Sequence, residues 1–290
     1  MRGEAEAVSN GAATIINAIA TGKGAAVGVD LKTKARVKLT DEPGIIKGKI
    51  MSAPSEDPVL IEKTVNKILQ HFDYHQRFGA KVETWSEIPI AKGLKSSSAA
   101  GNAIALATIA ALGKAMDDLS IIKMGVEGAM DAGVTITGAF DDACASYLGG
   151  VVVTDNLEKR VVKRFYPPQD LSVLFYVPEK KEYTVGSNVS RMKKLQPLVK
   201  IAYKRAYEGD YWTALTLNGL IYSSALGYDP SIAVDALMAG ASAAGLTGTG
   251  PSVATVVSSE NKDLVKEALQ AYAGEILESR INLKKAEVVS

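Results

Sequence analysis

Apolar residues recur along this 290-residue chain with two periods, and each period marks a kind of element. Residues 25–31 and 35–39 alternate apolar with other side chains, the repeat of half-buried strands. The cluster Thr40-Asp41-Glu42-Pro43-Gly44 then reads as a turn. Over residues 56–72, Val59, Leu60, Val65, Ile68 and Leu69 fall at helical spacing, and residues 81–90 return to a strand with Pro89 near its end. Residues 98–112 are small and apolar on nearly every side, which predicts a buried helix; 119–132 predict another. A break falls at Gly149-Gly150. Beyond it the pattern predicts strands at 151–154 and 171–177, helical segments at 190–207, 211–224 and 230–244, and then a glycine-rich loop. A strand at 253–257, a helix at 262–272 and a strand near 283–289 close the chain. Strands mixed irregularly with helices predict an α+β architecture, not a doubly wound sheet, divided into residues 1–150 and 151–290.

Composition narrows the chemistry. Hydrophobic residues make up 47% and charged residues 22%, the balance of a globular chain and not of a disordered one. Lys and Arg number 33 against 32 Asp and Glu, so no bulk field draws the chain to nucleic acid or anionic lipid. One cysteine (Cys144) and two histidines (His71, His75) exclude disulfide scaffolds, Cys/His zinc sites and most histidine-based catalysis. Ser, Asp, Glu, Lys and backbone amides remain. The acids Glu4 and Glu6 sit where a signal peptide wants a basic flank, and the longest apolar stretch, 99–112, is shorter than the ~20 residues of a membrane span. The expected compartment is the cytoplasm, with no membrane or nucleic-acid partner.

Three segments carry candidate chemistry. In Pro89-Ile90-Ala91-Lys92-Gly93-Leu94-Lys95-Ser96-Ser97-Ser98-Ala99 a strand ends, a glycine turn follows, and serines open a buried helix. Serines there can cap the helix, and the same N–H groups with the positive end of the dipole suit a phosphate. Hydroxyls are also hard oxygen ligands for magnesium. An ordinary capped helix reads the same way, and the Walker pattern is absent. In Gly245-Leu246-Thr247-Gly248-Thr249-Gly250-Pro251-Ser252, three glycines let backbone amides approach a ligand, although such loops are common at tight turns. In Thr137-Gly138-Ala139-Phe140-Asp141-Asp142-Ala143, two adjacent acids amid apolar and small neighbours are unlike a solvated charge run; they can accept a proton, hold magnesium or decorate a helix start.

In this order the three segments resemble the GHMP kinase superfamily, whose phosphate loop has the form P-x-x-x-G-L-G-S-S-A. Lys95 stands where the third glycine of that pattern lies. The family's first motif resembles Ser9-Asn10-Gly11-Ala12-Ala13-Thr14-Ile15-Ile16-Asn17-Ala18-Ile19, with Ala12 where several members carry a basic residue. Gly93-Leu94-Lys95-Ser96-Ser97-Ser98-Ala99, Thr137-Gly138-Ala139-Phe140-Asp141-Asp142-Ala143 and Asn218-Gly219-Leu220-Ile221-Tyr222-Ser223-Ser224-Ala225-Leu226-Gly227-Tyr228-Asp229-Pro230 are similar to the archaeal-type shikimate kinases. The resemblance implies a two-part α+β kinase, with the phosphate loop in its N-terminal half and a ferredoxin-like C-terminal half. It also implies ATP-dependent, magnesium-assisted phosphorylation of the shikimate 3-hydroxyl.

Carried over residue by residue, the resemblance places ATP phosphates on Pro89 to Ala99 and on Gly248, Thr249 and Gly250, with the amides of Lys95, Ser96 and Ser97 as the cradle. The Ser97 hydroxyl would bind magnesium, joined by Glu127 or Asp131 from the preceding helix. Many members carry a catalytic aspartate seven residues before the glycine pair, which lands on Asp142, with Asp141 in reserve. Lys95 would supply the cation that Ala12 cannot, or else point to solvent. Asn10, Thr14 and Arg191 are the candidates for substrate contact; Arg191 belongs with Lys193 and Lys194 to a basic cluster that also suits a solvated helix face. The competing readings are another GHMP small-molecule kinase, homoserine kinase above all, and a non-catalytic ligand sensor. The sensor reading sits poorly with the retained Ser96, Ser97, Asp141 and Asp142.

Overall fold

A computed structural model describes residues 3–90, 92–179 and 189–290. The order of elements begins β1 (Glu4–Ile16), β2 (Lys23–Thr40), β3 (Ile46–Ile50), α1 (Val59–His71), β4 (Gly79–Ser86), α2 (Ser96–Ala111), α3 (Asp118–Asp131) and α4 (Phe140–Leu148). It continues β5 (Val151–Asp155), β6 (Arg160–Phe165), β7 (Ser172–Val177), α5 (Val189–Lys194), α6 (Gln196–Glu208), α7 (Tyr211–Leu226) and α8 (Ser231–Met238). The chain ends with β8 (Ala243–Leu246), β9 (Val253–Val257), α9 (Lys262–Gln270), β10 (Glu275–Arg280) and β11 (Glu287–Val288). Among the described residues no helix is long and apolar enough to cross a membrane.

Two sheets organise the molecule, as the α+β expectation requires. The first is seven-stranded, in the order β11-β1-β2-β4-β3, with β5 pairing β2 and β6 pairing β5. The strands expected at 25–31 and 35–39 are one strand, because Lys32, Thr33 and Lys34 carry the pairing with β1 straight through the polar gap. β2 is long enough to serve two neighbours along one edge: its first half pairs β5 and its second half β4. The sheet therefore draws on residues from both sides of the expected division at 150, since β5, β6 and β11 all lie beyond it.

Helices α1 to α4 pack with this sheet around one apolar core, and α2 runs through its centre. That burial explains the absence of a polar face on α2, since water has no side of it to wet. The second sheet, β10-β7-β9-β8, is antiparallel throughout, and its four strands in chain order occupy the 4-1-3-2 arrangement of a split β-α-β-β-α-β unit. A second core joins the halves: Ala13, Ile15, Val27 and Val151 of the first sheet share it with Val173, Phe175, Leu215 and Leu246.

Several elements differ from the periodicity. β1 escapes the strand pattern because residues 9–16 are buried on both faces, which erases alternation. α4 is nine residues long and wholly buried, so it too has no polar face to reveal it. The helix expected at 190–207 breaks at Leu195 into α5 and α6, and the one expected at 230–244 stops at Met238, where the chain turns into β8. The closing strand is confined to Glu287–Val288, and β6 and β10 were not marked by the apolar pattern.

Candidate active site

The serines expected before the buried helix are its first turn. α2 begins at Ser96, and Lys95 occupies the cap position with φ 64°, ψ 31°, in the left-handed region that disfavours a residue with a Cβ. No side chain caps this end. The first bonds of the helix run from Ser98 and Ala99 to the Lys95 carbonyl, 3.1 and 3.2 Å, so the amides of Ser96 and Ser97 stand outside the ladder. Amides left over at a helix start, with the dipole behind them, favour an anion.

Gly93 brings the second loop into contact. A Cβ built there would lie 2.7 Å from the Gly250 carbonyl oxygen and 2.9 Å from that of Thr247, so only glycine lets the phosphate loop and the late glycine loop close on each other. The same convergence appears at Gly248, whose hypothetical Cβ would stand 2.3 Å from Lys95 Nζ.

The acid pair faces this junction from α4. Asp141 and Asp142 are 2% and 3% exposed, and their surroundings differ. Lys95 Nζ is 3.0 Å from Asp142 Oδ2, with the lysine side chain only 15% exposed, and the Thr14 hydroxyl donates to Asp142 Oδ1 at 2.9 Å. Among the described residues Asp141 has one neutral side-chain donor, Asn156 Nδ2, at 2.8 Å from Oδ1; Asn156 is held in turn by the Thr154 hydroxyl at 2.6 Å. Burial first, and the neighbouring Asp142 second, push the Asp141 carboxyl up from 3.8 to about 7. The pair therefore divides into a charge-compensated carboxylate and a carboxyl that keeps its proton through mildly acidic pH. Burial also raises the thiol of nearby Cys144 well above its usual range, leaving it a packing group.

A cleft of about 310 Å³ opens over these residues, within the size range of small-molecule sites. Its polar lining includes Thr14, Asn17, Lys95, Asp141, Asp142 and Thr249. Its apolar lining includes Ile50, Val59, Leu60, Ile90, Ile104 and Ile136, and Glu56 and Asp57 also line it. Gly93, Leu94, Ser96, Ser97 and Ser98 bring the phosphate loop into the same lining.

Other expected residues lie elsewhere. Glu127 and Asp131 do not line the cleft: Asp131 pairs with Lys67 at 2.9 Å and Glu127 with Lys159 at 2.9 Å, both half-solvated ion pairs. Lys92 turns away from the cleft, its ammonium donating to the carbonyls of Pro178 and Glu179. Asn10 is buried at a bulge of β1, its carbonyl accepting from the Ser146 hydroxyl, and Arg191 is exposed on α5; neither lines the cleft. Ala99 is interior core and Pro89 lies in the half-buried turn before the loop, while Ala91 falls outside the described residues. Gly248 and Gly250 shape the late loop, from which Thr249 reaches the cleft.

Thr14 reaches the site, but to hold Asp142 and not to meet a ligand with a spare proton. The sequence reading missed Asn17, Asn156 and Thr247. Asn17 stood within the first motif, and its polarity at the end of an apolar run was the available signal.

Comparison with known proteins bears on this geometry. A profile of the GHMP kinases N terminal domain matches residues 60–150. The chain is 47% identical over 281 residues to a shikimate kinase of Methanosarcina mazei, covering 96% of this chain and 94% of that one. It is 47% identical over 289 residues to a shikimate kinase of Methanosarcina acetivorans, covering 98% and 96%. Among solved structures, a Lactococcus lactis galactokinase in complex with galactose superposes with a TM-score of 0.77 at 14% identity, covering 98% of this chain and 95% of that one.

Proposed function

The chain belongs to the shikimate kinases of the GHMP kinase superfamily, and from that premise we propose how its cleft passes a phosphoryl group from ATP to the 3-hydroxyl of shikimate. One observation carries the reading: Lys95 Nζ stands 3.0 Å from Asp142 Oδ2 where the phosphate loop, the late glycine loop and α4 meet. Phosphoryl transfer needs positioning and charge neutralisation more than covalent chemistry, and this junction offers both.

The apolar residues of the lining take the adenine ring, and the amides of Ser96 and Ser97 receive the phosphates at the start of α2. Shikimate enters beside the acid pair. Asp142 accepts the proton of the acceptor hydroxyl as that oxygen bonds to the terminal phosphorus and the bond to the bridging oxygen of ADP breaks. Thr14 holds one oxygen of Asp142, leaving the other to the substrate once the Lys95 ammonium shifts toward the transferring group. There the ammonium offsets charge on the phosphoryl oxygens, a contribution of about 3–4 kcal/mol by the scale of a single oxyanion donor. Asp141, held by Asn156 and without the Lys95 and Thr14 contacts of its neighbour, is not assigned the role of base.

Magnesium fits the same wall. The Ser97 hydroxyl lines the cleft with no hydrogen-bond partner among the described residues, and a hydroxyl with phosphate oxygens and waters is a hard donor set of the kind this ion takes. It would supply charge neutralisation across the phosphates. Glu127 and Asp131, paired with Lys159 and Lys67, do not line that wall.

A coupled assay of ADP release against shikimate, homoserine and mevalonate tests the acceptor; turnover confined to homoserine or mevalonate overturns it. Asp142→Asn should keep nucleotide binding and lose turnover by two orders of magnitude or more, about the effect of removing one positioned electrostatic group. Near-parental turnover in that variant would move the base elsewhere.

A further inference from the structure

Asn17 follows the last residue of β1, and all four of its polar groups are engaged. Its backbone N–H donates to Asn218 Oδ1 at 3.1 Å and its carbonyl accepts from the Tyr222 hydroxyl at 3.2 Å, which fixes the end of β1 against α7. Its side chain turns the other way: Nδ2 donates to the Gly248 carbonyl at 2.9 Å, while Oδ1 accepts from the Ile19 N–H at 2.9 Å and so sets the amide plane. Three residues earlier the Thr14 N–H donates to the Thr247 hydroxyl at 3.1 Å. The end of β1 thus grips two successive residues of the late glycine loop.

The opposite side of Gly248 faces Lys95, close enough that a Cβ would stand 2.3 Å from Nζ. Thr14, on the same strand end, holds Asp142. One short stretch of backbone therefore sets both the loop that backs the ammonium and the carboxylate that receives the proton.

We propose that Asn17 is a positioning residue for phosphoryl transfer: by holding the Gly248 carbonyl it fixes the late glycine loop, the backing against which Lys95 moves between Asp142 and the transferring group. The proposal rests on the roles given above to Lys95 and Asp142. Asn17 contributes alignment, because each of its four polar groups is already held by the protein, with only the second Nδ2 hydrogen lacking a partner among the described residues.

The test compares Asn17→Ala and Asn17→Asp with the parent for kcat, the KM of each substrate and thermal midpoint. Asn17→Asp keeps size and the acceptor for Ile19, and turns the donor to Gly248 into an acceptor with a negative charge added, so it serves if the alanine variant fails to fold. Misplacement by a fraction of an ångström should lower kcat about thirty- to a hundredfold, with the KM of shikimate within about twofold. Combined with Asp142→Asn, Asn17→Asp should cost little further activity, because the two act on one step. A kcat for folded Asn17→Asp within about threefold of parental overturns the proposal, whatever its melting point, since that is the result of a purely structural strut. If Asp142→Asn retains turnover while Asn17→Asp does not, the assignment of the base fails and that of Asn17 as a positioning residue stands.

Discussion

Removing the charge of Lys95 probes the centre of the site. Its ammonium and the Asp142 carboxylate lie 3.0 Å apart with side chains 15% and 4% exposed, so each is the main compensation for the other's burial. Lys95→Met keeps the length of the chain and strands an anion with only the Thr14 hydroxyl beside it. Breaking a buried pair from one side costs about 3–5 kcal/mol, which in a domain of 150–250 residues corresponds to roughly 2–4 °C of melting temperature per kcal/mol. Asp142→Asn strands the cation instead and should cost about as much. The double variant leaves two neutral groups of parental size and should recover most of the loss, giving a coupling energy of about 2 kcal/mol or more.

Calorimetry and chemical denaturation of the four proteins measure that coupling, and a coupled kinase assay on the same samples measures turnover. In Lys95→Met turnover should fall about a hundred- to a thousandfold. The double variant should be as stable as the parent yet inactive. Additive destabilisation would show that the two charges do not depend on each other. A stable, active Lys95→Met would show that the lysine serves only the shape of the loop.

Three further expectations follow from the same geometry. Asp141 keeps its proton to about pH 7 in the folded protein but ionises near its ordinary 3.8 when unfolded, so the unfolded state binds fewer protons between those values and stability falls as pH rises through that window. Asp141→Asn should flatten that slope, match or exceed parental stability at pH 8 and keep turnover within about tenfold, a loss smaller than that of a missing general base; stability denaturation curves at pH 4, 6 and 8 with an unchanged slope would refute it. Gly248→Ala places a methyl group 2.3 Å from Lys95 Nζ at a backbone φ of +64°, so it should cut turnover toward that of Lys95→Met and lower stability by about 1 kcal/mol. Parental kinetics there would place the ammonium elsewhere during catalysis. Thr14→Val removes the hydroxyl on Asp142 Oδ1. It should lower kcat about tenfold, the scale of a hydrogen bond to a charged group, and leave the KM of shikimate unchanged; a rise in KM alone would return Thr14 to substrate contact.

The phosphate loop was legible in the chain because its parts are contiguous: a strand end, a glycine, serines and a helix apolar on every side. The acid pair stood out by the same logic, since charges set among small apolar residues have no solvent to face. Helices with one wet face, such as α1 and α9, showed their period. β1 and α4 did not, because burial on all sides leaves no alternation to read.

The sequence by itself determined the α+β class, the inventory of Ser, Lys and Asp available for chemistry, and the three segments that supply it. Only the tertiary structure decided which members of that inventory meet. Nothing local distinguishes Asp142, gripped by Lys95 and Thr14, from Asp141 one position earlier with Asn156 beside it. Glu127 and Asp131 carry the right groups, yet their lysine partners hold them at the surface of α3. Residues 14, 17, 95, 142 and 248 form one site only because β1, α2, α4 and the late loop end at one place. The strength of an electrostatic contact depends on distance and surrounding dielectric, and both belong to the folded chain.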